Sequence, residues 1–109
     1  MINWPAIIKH AEDAELIYVS NQVQWDEDAD LHSFEYDEKD YLIDSSGSVF
    51  NIFNREEGVV KARANGDVFE LKVILGLIKA HAAQSGSCCV AKLYAPTIRE
   101  AYKIVESLE

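Results

Sequence analysis

The chain has 109 residues, 49% of them apolar and 27% charged, enough for one core whose burial offsets chain entropy, so a single domain over residues 1–109 is expected. Nineteen acidic against ten basic side chains leave a formal charge of −9, which repels phosphate backbones and anionic bilayers and argues against nucleic-acid or membrane-surface binding. The longest apolar run, residues 73–78, stops at Lys79, far short of the roughly 20 residues that cross a bilayer. Residues 1–5 carry neither the basic segment nor the apolar run of an export signal, and the adjacent Cys88 and Cys89 cannot close an ordinary disulfide loop with each other. A cytoplasmic location is expected.

Asn3 is placed to cap a first helix over residues 4–13, with Pro5 in its first turn and Trp4, Ile7, Ile8 and Ala11 on one face. Residues 15–25 read as one or two strands, from the β-branched and aromatic run 16–19 and the alternation of Val23 and Trp25 with Gln22 and Gln24. Asp26, Glu27, Asp28 and Asp30 surround Ala29 in a run that no core accepts, so a solvated loop is expected there. A brief strand at 33–36 follows. The pattern then predicts a hairpin, with strands 41–43 and 49–53 flanking the turn Asp44, Ser45, Ser46, Gly47, Ser48.

A short strand at 59–62 is expected to end at Asn65-Gly66, a pair that tolerates left-handed backbone. Helical periodicity runs from Asp67 to about Gln84, with Asp67 or Asn65 as cap and Ser85-Gly86 as stop. Val68, Leu71, Ile74, Leu75, Ile78 and Ala82 form one apolar stripe of that helix, and Phe69, Val73, Leu77 and Ala80 a second. Residues 88–94 read as a strand ended by Pro96, and Thr97 with Glu100 opens a last helix carrying Ile98, Ala101, Val105 and Leu108. The predicted class is α+β: a mostly antiparallel sheet of four to five strands with three helices, in the order α-β(n)-α-β-α.

Asp26, Asp28, Asp30 and Asp37 take the spacing of four calcium-loop ligands, but Leu31 stands where the sharp turn requires Gly and Asp37 where Glu is usual. Adjacent strand cysteines point to opposite faces, and His10, His32 and His81 have no recognised metal spacing from them. No metal site or cofactor is expected. Glu35 with Asp37, or Asp40 with Asp44, offers the carboxylate pair of acid/base chemistry, but an acidic chain supplies such pairs by chance. Phosphate-loop, dinucleotide-binding, nucleophile-elbow and zinc-protease motifs do not occur.

The segments Leu42-Ile43-Asp44-Ser45-Ser46-Gly47 and Cys88-Cys89-Val90-Ala91-Lys92, with the closing helix, resemble a family of small uncharacterised bacterial proteins. That resemblance implies a compact bacterial domain and carries no activity or catalytic set. Charge and motifs together point to a non-catalytic interaction or regulatory domain whose acidic segment and neighbouring aromatics (Trp25, Asp26, Glu27, Asp28, Asp30, Tyr36, with Tyr41 extending them) bind a basic protein partner. Two alternatives belong to other classes: a thiol-dependent enzyme or sensor using Cys88 or Cys89 with His81, and a structural protein that homodimerises through Phe69, Val73, Leu77 and Ala80, so that the chain is expected as a monomer or weak homodimer.

Overall fold

A computed structural model describes residues 2–33, 36–54, 60–86 and 90–108. Five strands form one antiparallel sheet: β1 (Ala6–Lys9), β2 (Leu16–Val19), β3 (Tyr41–Ile43), β4 (Ser48–Asn54) and β5 (Val60–Val68), in the order β2-β1-β3-β4-β5. Two short helices, α1 (Gln22–Glu27) and α2 (Ala29–Ser33), leave β2. After β5 come α3 (Leu71–Gln84), a 3-10 turn (Val90–Lys92) and α4 (Ile98–Ser107). The α+β class and the antiparallel sheet of five strands agree with the pattern of the sequence.

Alternation along the strands sends side chains to two separate cores. On one face Ile7, Leu16, Ile43 and Val49 pack under α3 and α4 with Ile74, Ile78, Ala101, Tyr102 and Val105. On the other, Ala6, Ile8, Leu42, Phe50, Ile52 and Val60 pack against Trp25 of α1 and Leu31 of α2. The central strands are therefore covered on both sides.

This double burial explains the largest departure from expectation. Residues 4–13 are not a helix: β1 occupies their centre, and Ala6, Ile7 and Ile8 are all fully buried. A continuous apolar run covered on both faces loses the period-2 signal, and over so few residues it matches a helical stripe equally well. Asn3 caps nothing; its N–H donates to the Asp44 carboxylate at 3.0 Å and its carbonyl accepts the Ser45 N–H at 2.9 Å, pinning the chain to the β3–β4 turn.

The strand expectation holds for Leu16–Val19 but not for Val23 and Trp25, which lie in α1. The Asn21 side chain accepts the Gln24 N–H at 2.8 Å and starts that helix. The acidic run is likewise not an open loop. Asp26 and Glu27 end α1, and the Asp28 carboxylate accepts the N–H groups of Asp30 and Leu31 at the start of α2. The strand expected at 33–36 begins inside α2, and Phe34 and Glu35 lie outside the described residues.

The hairpin forms as predicted, with Leu42 opposite Phe50 and Ile43 opposite Val49. Asp44, fully buried, holds the turn: one carboxylate oxygen accepts the N–H groups of Ser46 and Ser48 and the Ser46 hydroxyl, the other the Asn3 N–H. Gly47 sits at φ +86, and a Cβ there would run into the Phe69 carbonyl.

β5 outruns its expected end. Asn65 and Gly66 lie within it as a bulge, where the register shifts between Ser48 and Phe50 of β4, Gly66 takes φ +89 and the Asn65 side chain accepts the Asp67 N–H. The helix predicted from Asp67 consequently begins at Leu71, with Glu70 as its cap residue, and Val68 belongs to β5. The strand expected at 88–94 is a 3-10 turn at Val90–Lys92, with Cys88 and Cys89 outside the described residues. This segment joins two helices on one sheet face, so entering the sheet would take it out of that layer. The last helix opens as predicted, with the Thr97 hydroxyl accepting the Glu100 N–H at 3.1 Å. No helix among the described residues is long and apolar enough to cross a membrane.

Candidate functional site

β5 lies at one edge of the sheet, with β4 on its inner side. Along its straight part Val60, Ala62 and Ala64 face the α1–α2 layer, and Lys61 and Arg63 face the other way. The Val60 N–H donates to His32 Nδ1 at 3.0 Å rather than to β4. Backbone groups of an antiparallel strand alternate in direction, so those of Ala62 and Ala64 also point away from β4. Edges of this kind present unpaired donors and acceptors to a further strand.

Beside the edge is a groove of about 360 Å³ lined by Ile2, Trp25, Phe50, Ala62 and Ala64, with Gln22, Asp26 and Lys61. Trp25 is 5% exposed and belongs mainly to the core; it packs against Trp4 at 6.3 Å and His32 at 5.9 Å between ring centres. His32 fixes this wall. Its Nδ1 accepts the Val60 N–H, so Nε2 carries the proton and donates to the Trp25 carbonyl at 2.7 Å. Asp26, Glu27 and Asp30 are exposed, whereas Asp28 is half-buried in its capping role.

Tyr36 stands apart from this groove. Its hydroxyl donates to the Leu31 carbonyl at 2.8 Å, its ring stacks on His10 at 5.5 Å, and burial, then the Asp40 and Asp28 charges, push its phenol up to about 12. Asp40, also missed as a centre by the sequence pattern, gathers the N–H groups of Ala11 and Asp37 at 2.8 Å each and His10 Nδ1 at 3.3 Å. Burial raises its pKa, but these donors outweigh it and leave the carboxyl below its ordinary value. With Asp44 in the hairpin turn, the two carboxylates of the supposed acid/base pair each hold backbone N–H groups. The Asp-x-Ser-x-Ser pattern of residues 44–48 was the available signal for Asp44; nothing local marked Asp40.

His81 is also buried. Nδ1 accepts the Leu16 N–H at 3.0 Å, and among the described residues Nε2 has no hydrogen-bond partner. Its ring lines a cavity of about 460 Å³ with Leu16, Gln84 and Leu108. With its basic nitrogen already occupied by a backbone donor, His81 does not stand as a ready base for a thiol. Of the second stripe predicted for the long helix, Phe69, which precedes α3, and Leu77 pack on the core, Phe69 edge-on to Tyr41 at 5.7 Å, while Val73 and Ala80 are exposed. Among the described residues no three His, Cys, Asp or Glu side chains form a metal-binding group.

Fold and edge together define the class: an α+β domain on an open five-stranded antiparallel sheet, with a groove beside the edge strand β5. The chain belongs to the DUF4144 family, described as protein structure with unknown function, whose model matches residues 4–105. It is similar to a protein from Shewanella amazonensis solved by NMR, at 23% identity and a TM-score of 0.69, covering 99% of this chain and 90% of that one. At that identity the likeness speaks for the fold. No curated protein matches the chain.

Proposed function

We propose that this domain is a non-catalytic protein-interaction module that docks an extended segment of a partner along β5. The observation that carries this reading is the nine-residue strand at the sheet edge, whose outward backbone groups lie beside a groove walled by Ile2, Trp25 and Phe50. Strand addition of this kind draws affinity from main-chain hydrogen bonds and specificity from pockets for alternate side chains. The net charge of −9 and the exposed Asp26, Glu27 and Asp30 favour basic side chains in the part of the partner that approaches α1 and α2.

A photo-crosslinking residue at Arg63, with the same residue at Lys103 on α4 as control, tests this in cell extract. Discrete adducts from position 63, lost when Ala62→Pro removes an outward N–H while the β4 ladder is spared, are the expected result. Equal adducts from α4, or adducts at 63 indifferent to Ala62→Pro, would reject the edge as the docking surface.

A further inference from the structure

The charges on the edge strand narrow the partner further, an inference that rests on the docking reading above. Lys61 and Arg63 are exposed, stand on the same side of β5 and lie two residues apart, about 7 Å along the strand. The Arg63 guanidinium is steadied over the Phe53 ring at 5.5 Å. Between them Ala62 turns to the opposite face, where its small side chain borders the groove that Lys61 also lines.

A strand added antiparallel to β5 places its side chains directly opposite these, on matching faces. The residue opposite Ala62 therefore enters the groove against Ile2, Trp25 and Phe50, while its two neighbours face Lys61 and Arg63. We infer that the module recognises an extended segment in which an apolar residue is flanked on both sides by carboxylates: acidic, apolar, acidic. The same two cations disfavour a second copy of this chain as occupant, because self-pairing centred on Ala62 sets Lys61 opposite the other copy's Arg63. Bulk charge acts at long range and is screened within about 8 Å at physiological ionic strength, so the cations beside the added strand govern it there.

The test uses three twelve-residue peptides that differ only in the residues flanking a central Leu: Glu-Leu-Glu, Gln-Leu-Gln and Lys-Leu-Lys. Binding to the full chain is followed by amide shifts of residues 60–64. The Glu peptide is expected to shift the Ala62 and Ala64 amides and saturate, with the Gln peptide roughly ten-fold weaker and the Lys peptide without effect. Lys61→Glu/Arg63→Glu should invert that order, and Lys61→Glu alone, which keeps the Arg63–Phe53 contact, should bring the Glu and Gln peptides level. Equal or tighter binding of the Gln or Lys peptide at β5 would overturn the acidic rule while leaving edge docking in place. If none of the three moves the β5 amides, the acidic rule fails outright, and the crosslinking result alone decides whether the edge is used.

Discussion

His32 accepts the Val60 N–H through Nδ1 at 3.0 Å, tying α2 to the first residue of β5. Its other nitrogen donates to the Trp25 carbonyl at 2.7 Å, so one side chain aligns the groove wall with the edge strand. Replacing it by Phe leaves a donor and an acceptor unmatched, and His32→Phe is expected to lose about 2 kcal/mol in urea unfolding. Nitrogen NMR of the wild-type ring should show Nδ1 unprotonated and Nε2 protonated; the reverse tautomer would contradict the assignment.

Gly47 is expected to tolerate no side chain. Its positive φ and the Phe69 carbonyl that a Cβ would meet act together, and Gly47→Ala should cost on the order of 3 kcal/mol. Gly66 has φ +89 but open space around it, so Gly66→Ala should cost only about 1 kcal/mol. Paired thermal melts measure the difference, and equal losses would show that the Phe69 contact contributes nothing.

Tyr102, fully buried on α4, has its hydroxyl 3.1 Å from the Ile43 carbonyl and 3.0 Å from that of Asp44. Tyr102→Phe should lose about 1–2 kcal/mol at neutral pH. Burial, then the Asp44 charge, raises its phenol far above the ordinary value, and Tyr36 is raised to about 12. Both folded values exceed the unfolded one near 10, so their contribution is complete below about pH 10 and is lost as pH rises through the folded values. Stability of the wild type should fall above pH ~10, less steeply in Tyr102→Phe, as read by unfolding across the alkaline range.

The acid limb belongs in part to Asp40. Its folded pKa is depressed because the Ala11 and Asp37 N–H groups and His10 outweigh the effect of burial. The stabilisation is therefore present above the unfolded value of about 3.9 and is lost as pH falls through the lower folded one. Asp40→Asn should cost about 1–3 kcal/mol at neutral pH and flatten the decline of stability below pH ~4. An unchanged acid limb would show that other carboxylates carry it.

Much of the fold was legible where the signal was local. The turn at Asp44–Ser48 announces itself through residues that bond their own backbone, and Thr97 with Glu100 marks a helix start from a single turn of chain. The edge position of β5 and the groove beside it were not legible. Trp25 and Val23 alternate with glutamines as strand residues do, yet the Asn21 cap starts a helix there, and the groove arises only when α1 is laid beside β5.

The α+β class, the β3–β4 hairpin, the buried face of α3 and the capped start of α4 could be read from the chain alone, because each rests on hydrogen bonds or periodicity spanning a few residues. Tertiary structure decided that β1 is a strand, that Asp40 and Asp44 are buried structural acceptors and that β5 is an edge. Those properties depend on which elements cover a residue from either side, and neighbours distant in the chain supply that cover.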